Sequence, residues 1–208
     1  MNNILIDRLP TSVWIDGREY PLDTDFRTCL RIILAFEDPD LADVEKRIVL
    51  IENLYPELPD DLERAVELGI WFLDGGEEEQ NKEDQEQEQE EGKLYSFSKD
   101  APFIFSAFRQ THGIDLETVE DLHWWKFLYL FMDLGEETFF VRLISLRSRL
   151  ADGTASKEEK KAAKKMEKLL EVPQNRNMNL VEMEAANRFM ELLEKGDHET
   201  ESGSKHTG

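Results

Sequence analysis

The sequence predicts a mainly α protein: a compact helical bundle with a small N-terminal β-hairpin and an acidic insert that stays disordered. Three observations predict it. Apolar residues recur at three- and four-residue spacing through most of the chain; a single Asp16-Gly17 turn lies between two short strand-like segments; and one stretch, Glu77 to Gly92, holds no aliphatic or aromatic side chain. The implied organisation is one helical domain over 1–76 and 93–150 that carries the hairpin, an acidic disordered insert over 77–92, loosely attached C-terminal helices over 151–195, and a disordered tail over 196–208.

The hairpin comes first. Val13-Trp14-Ile15 and Arg18 to Leu22 flank Asp16-Gly17, a pair that tolerates the positive backbone angles of a two-residue type I′ turn. Ile4-Leu5-Ile6 is expected to add a third short strand before Pro10.

Three amphipathic helices follow. Thr24 is expected to cap the first, which runs to about Phe36 with Phe26, Leu30, Ile33 and Leu34 on one face. The second spans Leu41 to about Leu54, with Val44, Ile48 and Ile51 in register, and Tyr55-Pro56 stops it. Asp60 and Asp61 open the third, in which Leu62, Ala65, Val66, Gly69, Ile70 and Leu73 recur at helical spacing before Gly75-Gly76 closes it. The insert then has nine acidic residues against one lysine, so burial offers nothing to offset the entropy of ordering it.

Order resumes at Leu94-Tyr95-Ser96-Phe97. Ser98 is placed to cap a helix from Asp100 to about Gln110, with Phe103, Ile104, Ala107 and Phe108 inward and Gly113 at its end. The organising element is the stretch Asp115 to Leu134, read as one continuous helix: from Trp124 to Met132 every residue but Lys126 is apolar, which demands enclosure. Lys126 and Asp133, seven apart, leave a narrow polar strip, and Glu117, Glu120 and Asp121 would complement the positive end of the helix dipole. A helix from Glu136 to Leu150 comes next, with Phe139, Phe140, Leu143, Ile144 and Leu150 on one side and Arg142 and Arg149 on the other. Arg147 falls on the apolar line and is expected to lay its stem over the core and pair with a carboxylate at the edge. After a linker at Ala151 to Ala155, Ser156 to Glu171 reads as an exposed helix, and Pro173 breaks it. Asn179 can cap a last helix whose Leu180, Met183, Ala186, Met190 and Leu193 form a stripe suited to a groove or a partner.

Charge and composition narrow the function. With 46 acidic and 25 basic residues the formal charge is -21, which opposes autonomous binding to nucleic acid or to an anionic membrane. No run of eighteen apolar residues occurs, and the N-terminus lacks the basic start of a secretion signal, so a cytoplasmic protein is expected. Cys29 is alone within an apolar helical pattern, which marks a small core residue rather than a nucleophile. His112 and His123 lack zinc spacing, and Asp38, Asp40 and Asp43 do not complete a calcium loop. No phosphate loop or nucleophile elbow occurs. The reading is a non-enzymatic protein with no cofactor and no metal.

Contact residues are expected among Trp124, Trp125, Met183, Met190 and Leu193. Adjacent positions on a helix lie about 100° apart, so one tryptophan should enter the core and the other should reach its margin or a contact. Self-association follows if a tryptophan or the methionine stripe is exposed. The lysines at 157, 160, 161, 164, 165 and 168 are interleaved with Glu158, Glu159, Glu167 and Glu171, so they read as a solvated helix or one attracted to the acidic insert of its own or a neighbouring chain.

Several of these residues together resemble a known family. The hairpin followed by Tyr20, Leu22 and Thr24-Asp25-Phe26-Arg27, the Leu54-Tyr55-Pro56 helix end, Ile70-Trp71-Phe72-Leu73 with Gly75-Gly76, and Tyr95-Ser96-Phe97 before Phe103-Ile104-Phe105 all contribute. The most specific part is Gly113-Ile114-Asp115-Leu116 followed by Leu122-His123-Trp124-Trp125-Lys126-Phe127. This set is similar to the phage "Gp fifteen" proteins of Gram-positive siphophages and prophages, over roughly Ile4 to Pro173. The resemblance implies a tail-morphogenesis role like that of the chaperones that coat the tape measure protein until tail tube protein polymerises around it. The implied partners are the phage tape measure protein, with the tail tube protein as a further one, and a second copy of the chain. The implied place is the host cytoplasm, with the protein absent from the mature virion. An acidic inhibitor of a host nucleic-acid-binding protein and a structural tail or connector subunit are the competing readings. The insert at Glu77 to Glu91 and the extension after Pro173 depart from the family pattern.

Overall fold

The structure, a computed structural model, describes residues 4–76 and 94–171. Strands β1 (Ser12–Ile15) and β2 (Arg18–Pro21) pair antiparallel, with Val13 opposite Tyr20 and Ile15 opposite Arg18. Asp16 and Gly17 take φ of 48° and 80°, the two positive angles of a type I′ turn. Val13, Ile15 and Tyr20 point into the core. Ile4, Leu5 and Ile6 form exposed turns and not the expected third strand. The physical reason is that β1 pairs with β2 alone, and a strand without a partner leaves its backbone groups to water.

Eight helices follow among the described residues: α1 (Phe26–Glu37), α2 (Asp43–Leu54), α3 (Leu62–Leu73), α4 (Ala101–His112), α5 (Trp124–Met132), α6 (Phe139–Ala151), α7 (Lys157–Lys165) and α8 (Glu167–Leu170). The mainly α class with its small N-terminal hairpin therefore holds. Consecutive helices α1, α2 and α3 pack on one another, α5 packs on α1 and α4, and α4 packs on α6.

Caps explain most helix ends. Asp25, one residue after the expected Thr24, caps α1 by accepting from the Arg27 N–H at 2.8 Å. Thr24 instead gives its carbonyl to the Trp124 N–H at 2.7 Å, while the Phe26 N–H reaches the Leu122 carbonyl at 3.0 Å, so the starts of α1 and α5 are stitched together. Asp61 caps α3, Thr138 caps α6, and Ser156 with Glu159 forms a capping box on α7. Gly113, in the left-handed region at φ 70°, ends α4 as expected. Asp100 and not Ser98 occupies the cap position of α4, and it makes no side-chain cap bond because its carboxylate is taken up by Arg147.

Two helix faces differ from expectation. In α2 the buried line is Lys46, Arg47, Leu50, Ile51 and Leu54, whereas Val44 and Ile48 are 48% and 49% exposed. Gly69 of α3 sets this rotation: a Cβ there would lie 2.6 Å from Leu50 Cδ2 and 3.1 Å from Leu54 Cδ2, so the two helices approach closely along the 50–54 line. In α1 the fully buried apolar line is Phe26, Cys29 and Ile32, and Leu34 faces out.

The largest correction concerns the central stretch. Helix α5 spans only Trp124–Met132, and Asp115 to Leu122 is turn and bridge. The carbonyls of Leu116, Glu117 and Val119, which an extended helix would spend internally, accept from the Arg27 guanidinium at 3.0, 3.4 and 2.8 Å. Asp121 then turns the chain at φ 51°. Glu117, Glu120 and Asp121 therefore sit outside the helix whose dipole they were expected to complement.

Phe127, fully buried on α5, is the centre of the core. Its ring lies 5.2 Å from Phe26, 4.9 Å from Phe108, 5.4 Å from Trp124, 6.2 Å from Phe131 and 6.3 Å from Phe97, centroid to centroid. One side chain thus joins α1, α4, α5 and the segment that re-enters the fold at residue 94. Downstream, Phe139 of α6 is half exposed against expectation, and Met166 at φ -117° and ψ 21° breaks the expected single Ser156 to Glu171 helix into α7 and α8.

Candidate functional site

Trp124 and Trp125 begin α5 and are 1% and 6% exposed, so both belong to the core. Their indole N–H groups donate to the carbonyls of Leu73 and Phe72, each at 2.8 Å. Those carbonyls belong to the last turn of α3, where a helix has no internal donors left. Two adjacent side chains therefore cap another helix's C-terminus. The backbone beyond it must be thin: Gly75 and Gly76 take φ of 77° and 80°, and a Cβ on Gly76 would lie 2.3 Å from Trp125 Cη2. Trp71 packs edge-on against Trp125 at 5.6 Å.

His123 fixes this joint. Its Nδ1 accepts from the Trp125 N–H at 3.0 Å and its Nε2 meets the Pro10 carbonyl at 2.9 Å. An Nδ1 that accepts must be unprotonated, so the neutral Nε2–H tautomer satisfies both contacts. Burial depresses its pKa below the usual 6.5; nearby Lys126 acts in the same direction and the Pro10 bond opposes it.

A second joint closes the other end of the insert. The Arg147 guanidinium, expected at the edge of the core, is buried within it and binds Asp100 through both terminal nitrogens at 2.7 and 2.9 Å. The same guanidinium donates to the Leu94 carbonyl at 3.0 Å and the Leu169 carbonyl at 2.7 Å. Glu37, at the end of α1, accepts from the Ser96 hydroxyl at 3.0 Å and from the Phe97 N–H at 3.3 Å. Charge-assisted bonds thus hold residues 94–98, α4, α6 and α8 in one place.

The outward surfaces carry apolar side chains of their own. Val44 and Ile48 on α2, with Leu34 on α1, are exposed apolar residues on helix faces. At the opposite joint, Met132 of α5 is 71% exposed and Phe139 of α6 is 50% exposed, on either side of the contacting inner pair Phe131 and Phe140 at 5.5 Å. Tyr129 stands three residues before Met132 on the strip that Lys126 and Asp133 mark, so the apolar helix is not wholly enclosed. Lys126 and Asp133 hinted at this face from the sequence. Nothing in the spacing of Val44 and Ile48 distinguished a solvent face from a core face.

Of the expected contact residues, Trp124 and Trp125 are placed as above, and Met183, Met190 and Leu193 lie outside the described residues. Cys29 is fully buried, and burial pushes its thiol far above its usual range. Among the described residues no three His, Cys, Asp or Glu side chains are grouped as a metal ion would require, and no helix is long and apolar enough to cross a membrane. Comparison with known proteins finds a family model described as Bacteriophage Gp15 protein that matches residues 5–172. No curated protein and no solved structure matches the chain.

Proposed function

This chain belongs to the Bacteriophage Gp15 protein family, and on that premise we propose that it is a non-enzymatic tail assembly chaperone that binds the phage tape measure protein and keeps it soluble until the tail tube forms. The observation that carries the reading is the pairing of outward apolar side chains, Val44, Ile48, Met132 and Phe139, with a chain of net charge -21. A long helical client needs apolar contact along its length, and it needs the coated complex to repel its neighbours. The tail tube protein is the second partner in this reading, and the host cytoplasm is the place of action.

Co-expression with the tape measure protein of the same phage tests it. The expected outcome is that the client becomes soluble and co-purifies with this chain, and that mass spectrometry of purified virions fails to detect the chain. An insoluble client with no co-purification refutes the proposal, and a stoichiometric copy number in virions replaces it with a structural tail subunit.

A further inference from the structure

Helix α7 carries lysines at 157, 160, 161, 164 and 165, a three-and-four spacing that puts all five on one stripe, and all five are exposed. In the sequence Glu159 is interleaved with those lysines. In the fold it does not neutralise them: Glu159 turns inward, accepts from the Arg149 guanidinium at 2.7 and 3.0 Å, and closes the capping box at Ser156. Glu158 stays at the border, and no ion pair among the described residues engages any of the five lysines. A basic helix face therefore stands on a protein of net charge -21.

The outer line of α2 is its complement. Glu45, Ile48 and Glu52 lie three and four residues apart and are exposed, with Val44 beside them. Glu45 and Glu52 are seven residues apart, as are Lys157 and Lys164, so each pair spans about 10.5 Å along its helix. Lysine stems are apolar for most of their length and can cover Ile48 and Val44 while their ammonium groups meet the carboxylates. Both faces are exposed at once in the same chain, so neither covers the other.

We propose that the lysine face of α7 in one copy docks on the Glu45–Ile48–Glu52 face of α2 in a second copy. Two different faces meet, so the contact is head-to-tail and the pair still offers one free face of each kind, one on each copy. Net repulsion between acidic copies is damped beyond about 8 Å at 0.15 M salt, whereas ion pairs in contact keep most of their attraction. The inference concerns the chain alone, and because Val44 and Ile48 also belong to the surface offered above to the client, a second copy and a client compete for this face.

Sedimentation velocity on the full chain at about 0.15 M salt tests it. The wild-type chain should associate with rising concentration. The I48K/E52K and K161E/K164E variants, which touch no hydrogen bond described above, should each weaken association about tenfold or more, with unchanged circular dichroism. An equimolar mixture of the two should associate again, because each supplies the charge that the other has lost. Deleting residues 77–92 should leave association in place. A wild-type chain that stays monomeric, variants that associate as the wild type does, a mixture without rescue, or loss of association on deleting 77–92 each overturns the proposal. The last outcome would name the acidic segment as the occupant of the lysine face.

Discussion

Gly76→Ala offers the sharpest test of the tryptophan joint, because a neighbouring glycine provides the control. Both Gly75 and Gly76 have positive φ, 77° and 80°, so alanine at either position carries the left-handed backbone cost of about 1–2 kcal/mol. The sites differ in what the new methyl group meets. At Gly75 the nearest atom is Leu128 Cδ1 at 3.4 Å, an ordinary contact, whereas at Gly76 the methyl would lie 2.3 and 2.7 Å from two carbons of the Trp125 ring. That ring cannot yield cheaply: it is buried and its N–H is committed to the Phe72 carbonyl at 2.8 Å. Overpacking of this kind costs about 1–3 kcal/mol, so G76A should be destabilised by about 2 kcal/mol more than G75A. Urea unfolding followed by tryptophan fluorescence measures the difference. Combining G76A with W125F should recover part of the loss, since a phenyl ring lacks the clashing atoms. Equal midpoints for G75A and G76A, or strict additivity with W125F, would refute the close packing described here.

Three further outcomes follow from the other joints. Asp100→Ala leaves the Arg147 charge buried without its carboxylate and should cost about 3–5 kcal/mol in urea unfolding; D100L/R147M, which removes both charges, should be clearly more stable than D100A alone. For His123, the folded pKa lies below the unfolded 6.5, so the unfolded chain takes up a proton that the folded chain refuses. Its contribution is complete above pH 6.5 and is lost as pH falls from there toward the folded pKa; H123N should show a shallower loss between pH 7.5 and 5.5 on the order of that titration, and parallel curves would exclude the neutral imidazole as the cause. Phe127→Ala should cost about 3–5 kcal/mol by thermal unfolding, with the loss shared by every helix that its ring touches rather than confined to α5.

Much of this fold was legible because local chemistry decides it. Asp16-Gly17 specifies the hairpin, Gly113 ends α4, and the 65–66–69–73 line of α3 faces inward, each from a signal only a few residues long. The misreadings share a different cause, which is a partner distant in sequence. Asp115 to Leu122 has a plausible helical pattern and loses it because Arg27, about ninety positions away, takes its carbonyls. The α2 face depends on Gly69, whose lack of a side chain says that something approaches but not from which direction. The tandem tryptophans were expected to divide between core and surface on helical geometry. Their placement is decided by the Leu73 and Phe72 carbonyls at the end of α3, which appear in no periodicity.

Those same distant contacts fasten the two described stems on either side of the acidic stretch 77–92. Gly76 lies directly against Trp125, and the carbonyl of Leu94 is held by Arg147. Each stem is fastened by groups from a helix that follows the insert in sequence, α5 on one side and α6 on the other. Phe127, which lies between them, reaches Phe26 before the interruption and Phe97 and Phe108 after it. The entropy of joining two ends grows only slowly with the length between them, by about 0.6 kcal/mol per doubling. An insert between stems held this firmly can therefore change in length and charge at little cost to the core. Variation in this chain is cheapest at that point, so a difference in partner between related chains is easier to build there than on α1 to α6.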